Sequence, residues 1–172
     1  MVAAVTVVAV VLRFFHIVFG VAWIGAVMYG VSVMRRVLGK MDPAARKETM
    51  KRLIPVVVRY LPVSAALTII LGASLYLYLG SFDPAVLVGT PWGLVLLTAL
   101  VLALTAFAIG LLFGIRSAKK ILGHLNEDAC THGPEVGALQ KRFNMAQFAN
   151  LGFGLAIIVL MVIATEHDLL GL

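Results

Sequence analysis

The sequence contains few charged residues and one cysteine, and both shortages limit what the protein can be. Of 172 residues, 13% are charged and 62% are hydrophobic, with a mean hydropathy of +1.04. A soluble domain of this size cannot bury so much apolar surface, so the composition predicts one integral membrane domain spanning residues 1–172. The single cysteine, Cys130, excludes an internal disulfide, and its polar loop is typical of a reduced cytoplasmic thiol. The apolar first twelve residues follow no basic region and precede no clear cleavage site, so we expect no cleavable signal.

The positive charge is concentrated in two segments that flank apolar stretches. Of the 14 Lys and Arg residues, seven lie between Arg35 and Arg52 and five between Arg116 and Arg142. Basic loops of this kind stay in the cytoplasm, which places residues 80–91 and both termini outside the cell membrane. Membrane topology and contact with anionic lipid therefore account for the net charge of +6, and nucleic-acid binding is not needed to explain it.

Four apolar stretches are long enough to cross a bilayer, which requires about 20 residues each. They predict an all-α, four-helix bundle with cytoplasmic helix extensions and spans at about 14–34, 53–79, 92–115 and 144–165. The apolar residues before Arg13 either extend the first helix past the membrane, lie in the interface or shift the span outward. Small residues at spacing four in the third span, Ala106, Gly110 and Gly114, favour close packing or a homodimer.

The second predicted span carries polar residues and two prolines, Pro55 and Pro62. Arg59 either extends its charge to the headgroups or faces inward and binds an anionic group. In the second case it is a candidate cofactor contact. A stripe of small and polar side chains then suits either helix packing or the lining of a site. Its members are Ser64, Thr68, Gly72 and Tyr76.

The first span holds the residues that most clearly indicate a function. At 100° per residue, His16, Gly20, Trp23 and Val27 share one face, and Arg13 lies one turn before the histidine. An intramembrane imidazole, with a glycine one turn on where a flat ligand fits, predicts an axial ligand for haem. The alternative is that the histidine only hydrogen-bonds a neighbouring helix and the tryptophan only packs.

The second axial ligand stays open among three arrangements. Nineteen residues separate His16 from Arg35, and nineteen separate Met161 from Arg142, which places both side chains at equal depth. His167 is the more common ligand type but lies about two turns further out, and a single axial histidine is the third arrangement. Arg13, with Tyr76 or Tyr78, is positioned to receive haem propionates. The set His124, Cys130 and His132 lacks a fourth ligand and an established metal-site spacing, so we interpret it as solvated loop residues.

The motif H-x3-G-x2-W-I-G-x3-Y in the first span resembles three haem-associated membrane families. It runs from His16 to Tyr29. It resembles the membrane domain of bacterial urate oxidases, is similar to the HemJ-type protoporphyrinogen oxidases and is more loosely similar to the CopD copper-resistance family. The HemJ-type pattern has a lysine where this chain has Arg13, and an arginine where it has Ser32; its Phe-Asn pair matches Phe143-Asn144. The resemblance implies haem b on His16, with Arg13, Gly20, Trp23 and Tyr29 around it.

These observations predict a haem b-binding membrane protein that transfers electrons to or from a quinone or a partner redox protein. The alternative is a HemJ-like oxidation of protoporphyrinogen IX, with His16 and Arg13 beside the tetrapyrrole. A third class, a haem-free metal transporter or accessory protein, has less support because the spans contain no Asp or Glu and only scattered Met residues.

Overall fold

The computed structural model describes residues 2–127 and 133–166, with side chains from residue 7 onward, and all of its regular elements are helices. Seven α-helices and two π-helical segments follow one another. They are α1 (Val2–Tyr29), π1 (Gly30–Met34), α2 (Arg35–Lys40), α3 (Pro43–Leu79), α4 (Pro84–Gly89), α5 (Pro91–Ile109), π2 (Gly110–Ile115), α6 (Arg116–Leu125) and α7 (Gly133–Thr165).

Four of the continuous helices are long and apolar enough to cross a membrane, which confirms the multi-pass prediction. They comprise residues Val7–Lys40, Pro43–Leu79, Pro91–Leu125 and Gly133–Thr165. The first and third join two α-helices through a π-helical segment. Each exceeds the roughly 20 residues that a bilayer requires, and the predicted spans lie within them. The residues before Arg13 belong to the same unbroken helix as the first span.

Helix starts follow the predicted capping residues. The Asp42 side chain accepts hydrogen bonds from the backbone of Ala44 and Ala45 at 2.9 and 3.4 Å, and Pro43 opens α3. Thr90 caps α5 in the same way, with Pro91 as its first residue. A proline at the first position has no backbone N–H that would stay unpaired, so the pair of cap and proline fixes each start.

The long helices pack in pairs, α1 along α3 and α5 along α7, and α3 also contacts α5. One apolar core joins Trp23 and Val27 of α1 to Ala65 of α3 and Ala106 of α5. A second core lies between α3, α6 and α7, and it is formed by Ile54, Ala118, Ile121 and Leu139. Burial of these side chains away from water or lipid positions the helices relative to one another.

The lane of small residues in the third span lies against α7. A Cβ atom on Gly110 would be 3.4 Å from the Asn150 amide nitrogen, and one on Gly114 would be 3.7 Å from the Ala146 Cβ. Ala106 is fully buried. Packing within the chain therefore accounts for this lane, and the homodimer stays a prediction.

Candidate functional site

His16 is fixed by a hydrogen bond that determines which of its ring nitrogens is free. Its Nδ1 lies 2.9 Å from the backbone carbonyl oxygen of Thr68 on α3. Because a carbonyl oxygen can only accept, Nδ1 carries the proton and donates it. In the neutral imidazole, Nε2 then presents its lone pair, and no hydrogen bond from the described residues reaches it.

Gly72 is what allows the His16 ring to lie against α3. A Cβ atom at position 72 would be 2.7 Å from the ring Cε1 and 2.9 Å from Nδ1, well inside van der Waals contact. The ring therefore occupies the space that any larger residue would fill. Position 72 belongs to the stripe of small and polar side chains on the second span, of which Thr68 and Gly72 contact α1.

The space beside Gly20 is filled by Thr68. A Cβ atom on Gly20 would be 3.6 Å from the Thr68 methyl group, which is ordinary contact. The Thr68 hydroxyl donates to the Ser64 carbonyl at 2.8 Å, so it takes no part in the contact with the histidine. Gly20 thus allows α1 to pack closely on α3. In the sequence analysis, the same glycine is interpreted as a position where a flat ligand fits.

Trp23 belongs to the core of the helix assembly. It is 5% exposed and packs with Val27, Ala65 and Ala106. The structure therefore groups His16, Gly20 and Trp23 along the α3-facing side of α1, as their helical spacing predicts. Packing explains the burial of the tryptophan without a cofactor.

Three other predicted cofactor contacts lie on the outside of the helices. Arg13 and Arg59 are exposed, and Tyr29 is 54% exposed. Neither arginine forms an ion pair or hydrogen bond with another residue in the described part of the chain. Arg59 precedes Thr68 by nine residues, about 13 Å along α3, so it lies at a different level from His16. Its exposure is compatible with extension of the charge to the headgroups, and its role as a cofactor contact stays a prediction.

Contacts between α1 and α7 give the level of Met161 relative to His16. Ile24 of α1 packs on Gly154 of α7, and the two helices are antiparallel. Eight residues outward from these positions are His16 and Val162, so Met161 lies at about the level of the histidine. Met161 is half-buried, and Ile158, three residues before it, is 47% exposed. The buried positions of α7 include Ala146, Asn150, Gly154 and Ala164. His167 lies outside the described residues.

Tyr76 has its hydroxyl engaged close to the predicted outer loop. It donates to the Leu87 carbonyl of α4 at 2.7 Å, and its ring lies 6.1 Å from that of Trp92. This contact attaches α4 to the ends of α3 and α5. As a propionate partner, Tyr76 would have to give up this hydrogen bond.

A polar group that the sequence analysis did not single out lies in the interior. Asn150 is 4% exposed, and its amide nitrogen donates to the Ala146 carbonyl at 2.9 Å, while its oxygen has no partner among the described residues. It lines a cavity of about 30 Å³, together with Gln147 and Gly110. The cavity has room for a water molecule. Two amides three residues apart in an apolar span, opposite the glycines of the third span, were the signal for it.

The described residues contain no group of three His, Cys, Asp or Glu side chains that could hold a metal ion. The His124 nitrogens lie 3.7 and 3.8 Å from carboxylate oxygens of Glu127 and Glu135, and Cys130 and His132 lie outside the described residues. A haem needs only one or two axial side chains, so this finding bears on ion sites and not on haem.

The comparisons with known proteins leave the motif of the first span as a resemblance. No family model, curated protein or solved structure matches this chain.

Proposed function

We propose that this chain is a haem b-binding membrane protein in which His16 is an axial ligand, and that it transfers electrons to or from a quinone or a partner redox protein. The hydrogen bond from His16 Nδ1 to the Thr68 carbonyl carries the proposal. Histidines that bind metals commonly donate their second ring N–H to a backbone carbonyl, which fixes the tautomer and orients the ring. Nε2 of His16 is then the nitrogen available to iron.

The chain's own groups would orient the ligand and exclude water. Thr68 holds the ring through its carbonyl, and Gly72 admits the ring to the surface of α3. Haem, when bound, supplies the one-electron chemistry. Met161 is the second axial ligand that depth favours, His167 is the one that ligand type favours, and an open position is the third arrangement.

We also propose that the four spans form one bundle with both termini outside and the two basic segments in the cytoplasm. The pairing of α1 with α3 and of α5 with α7, joined through the Trp23 core, supports the bundle. The asymmetric distribution of Lys and Arg supports the orientation. Arg35, at the end of the first span, lies over the Phe148 ring at 5.3 Å and would anchor this boundary.

The ligand proposal is tested by reduced-minus-oxidised absorption spectra of the detergent-purified protein from haem-replete cells. We expect a haem b signal that is lost in His16→Ala and retained in His124→Ala, a matched control because His124 contacts two glutamates far from the first span. Met161→Ala and His167→Ala identify the second ligand by which one removes the low-spin spectrum. A colourless wild-type protein from such cells would refute haem binding.

The same variants separate electron transfer from the enzymatic alternative. If only His16→Ala alters the spectrum, the iron has an open position, and membranes should then be assayed for oxidation of protoporphyrinogen IX. Activity that requires His16 would favour the HemJ-like reaction. A two-ligand site with no such activity would favour electron transfer.

The orientation is tested with the native cysteine. Cys130 is the single cysteine, so a membrane-impermeant maleimide should label it only after the cells are permeabilised. A chain with Cys130→Ser and Ala85→Cys, which places a thiol on α4 in the opposite loop, should be labelled in intact cells. The reverse pattern would invert the topology.

A further inference from the structure

A groove on the exposed surface of α1 and α3 contains polar groups that form no hydrogen bond or ion pair within the described part of the chain. The groove has a volume of about 550 Å³, and one residue of α1 and six of α3 line it. The lining residues are Phe19, Pro55, Val56, Arg59, Tyr60, Val63 and Ser64. On α3 they recur as adjacent pairs every four residues, so they form one stripe along that helix. The volume is within the range of sites that bind small amphiphilic molecules.

Three polar groups that line the groove lack hydrogen-bond or ion-pair partners among the described residues. Arg59 is exposed and forms no ion pair there. The Tyr60 hydroxyl and the Ser64 hydroxyl form no hydrogen bond there either, although Ser64 is 4% exposed.

Several hydroxyls on the spans bond within their own helix, whereas the buried hydroxyls of Ser64 and Ser117 form no hydrogen bond among the described residues, and of these two only Ser64 lines the groove. Ser74, Thr98 and Thr105 each donate to the carbonyl oxygen four residues earlier, at 2.8 Å. Ser64 does not, even though a buried hydroxyl in an apolar environment requires a partner. Its position in the groove therefore points to a partner that comes from outside the chain.

The charge of the groove identifies the chemistry of that partner. Arg59 lies seven residues further into the span than Arg52, about 10 Å along α3. Arg52 already pairs with Glu48, their atoms 2.9 Å apart, whereas Arg59 has no carboxylate partner in the described chain. An anion stabilises a guanidinium within a span, and a guanidinium binds a phosphate through several donors at once.

We propose that this groove binds one acidic phospholipid, with its phosphate on Arg59 and Tyr60. The Ser64 hydroxyl donates to an ester carbonyl, and one acyl chain lies along Val63 and Phe19. The site does not involve His16, so it stands or falls separately from the haem proposal.

The test is native mass spectrometry of the full-length protein in detergent, titrated with phosphatidylglycerol or with phosphatidylcholine of the same acyl chains. We expect preferential retention of phosphatidylglycerol, reduced at least about fivefold in Arg59→Gln and largely restored in Arg59→Lys. The combined variant Tyr60→Phe, Ser64→Ala should weaken retention with the charge intact. Helix content by circular dichroism shows that each variant is folded.

Arg52→Gln is the matched control, because it removes an exposed arginine from the same helix. It should leave the preference for phosphatidylglycerol unchanged. Equal losses in Arg52→Gln and Arg59→Gln would show a general surface-charge effect and overturn the site. A wild-type protein without preference between the lipids would overturn the site too. So would an Arg59→Gln variant that dissociates a dimer but retains phosphatidylglycerol as the wild type does.

Discussion

Replacing Gly72 by alanine tests the contact on which the orientation of His16 depends. The added Cβ would lie 2.7 Å from the ring Cε1, whereas non-bonded carbon atoms are normally about 3.5–4.0 Å apart. The ring must therefore move by about 1 Å or break its hydrogen bond to Thr68. At Gly20 the same substitution brings the Cβ only to 3.6 Å from the Thr68 methyl group, which requires no movement.

The magnitudes follow from two opposing effects. An alanine in a helix is more favourable than a glycine by roughly 0.5–1 kcal/mol, while overpacking costs about 1–3 kcal/mol. Gly20→Ala should therefore leave the free energy of unfolding unchanged or raise it slightly. Gly72→Ala should lower it by up to about 2 kcal/mol, because the steric cost exceeds the gain in helix propensity.

A double-mutant cycle isolates the contact between the ring and Gly72. In the His16→Ala background the ring is absent, so Gly72→Ala should become neutral or stabilising, with a coupling energy of about 1–3 kcal/mol. Unfolding by sodium dodecyl sulfate, followed by circular dichroism, gives the four free energies. If Gly72→Ala costs the same with and without His16, the ring does not lie against Gly72, and the argument for a free Nε2 fails.

Three further substitutions test the interior and the outer loop. Asn150→Leu should change the free energy of unfolding by less than about 1 kcal/mol, since the lost amide oxygen has no partner among the described residues. Asn150→Asp should destabilise the protein by about 3 kcal/mol because it buries an unpaired charge. A large cost in the leucine variant would show that the amide binds a water molecule tightly. Gly93→Ala should lower the melting temperature clearly, because its Cβ would overlap carbonyl oxygens of α4. Gly89→Ala should leave the melting temperature unchanged, because nothing lies within 4 Å of its Cβ. Equal melting temperatures of the two variants would contradict this packing of α4. Tyr76→Phe should cost about 1 kcal/mol through loss of the hydrogen bond to Leu87, and an unchanged melting temperature would mean that this bond does not hold α4.

The spans and the helix starts were predictable because they depend on local physics. Long apolar runs give the four helices, and a cap residue followed by proline fixes the starts at Pro43 and Pro91. The shared face of His16, Gly20 and Trp23 on α1 was also predictable, since these residues follow the period of a helix. None of these inferences requires knowledge of which helices are neighbours.

The rest depends on tertiary contacts and on departures from regular helix geometry. A π-helical segment shifts every side chain after it. Both segments begin at a glycine, Gly30 and Gly110, but the chain has 16 glycines, so a glycine alone does not predict such a segment. Ile24 on Gly154 and Asn150 beside Gly110 determine which side of α7 is buried, and periodicity within α7 alone does not identify those neighbours. The pairing of His16 with Thr68 likewise needed the register between α1 and α3.

The state of the His16 ring bears on whether it serves packing or ligation. An imidazole that only joined two helices would be expected to satisfy both of its nitrogens, because lipid offers no water to bond the second one. Here Nδ1 is bonded and Nε2 receives no hydrogen bond from the described residues, although the chain provides a glycine to admit the ring. Asn150 and Arg59 show the same incomplete satisfaction at other levels of the chain. Unsatisfied polar groups in an apolar solvent are costly, so these three positions are where ligands, lipid or water should be sought first.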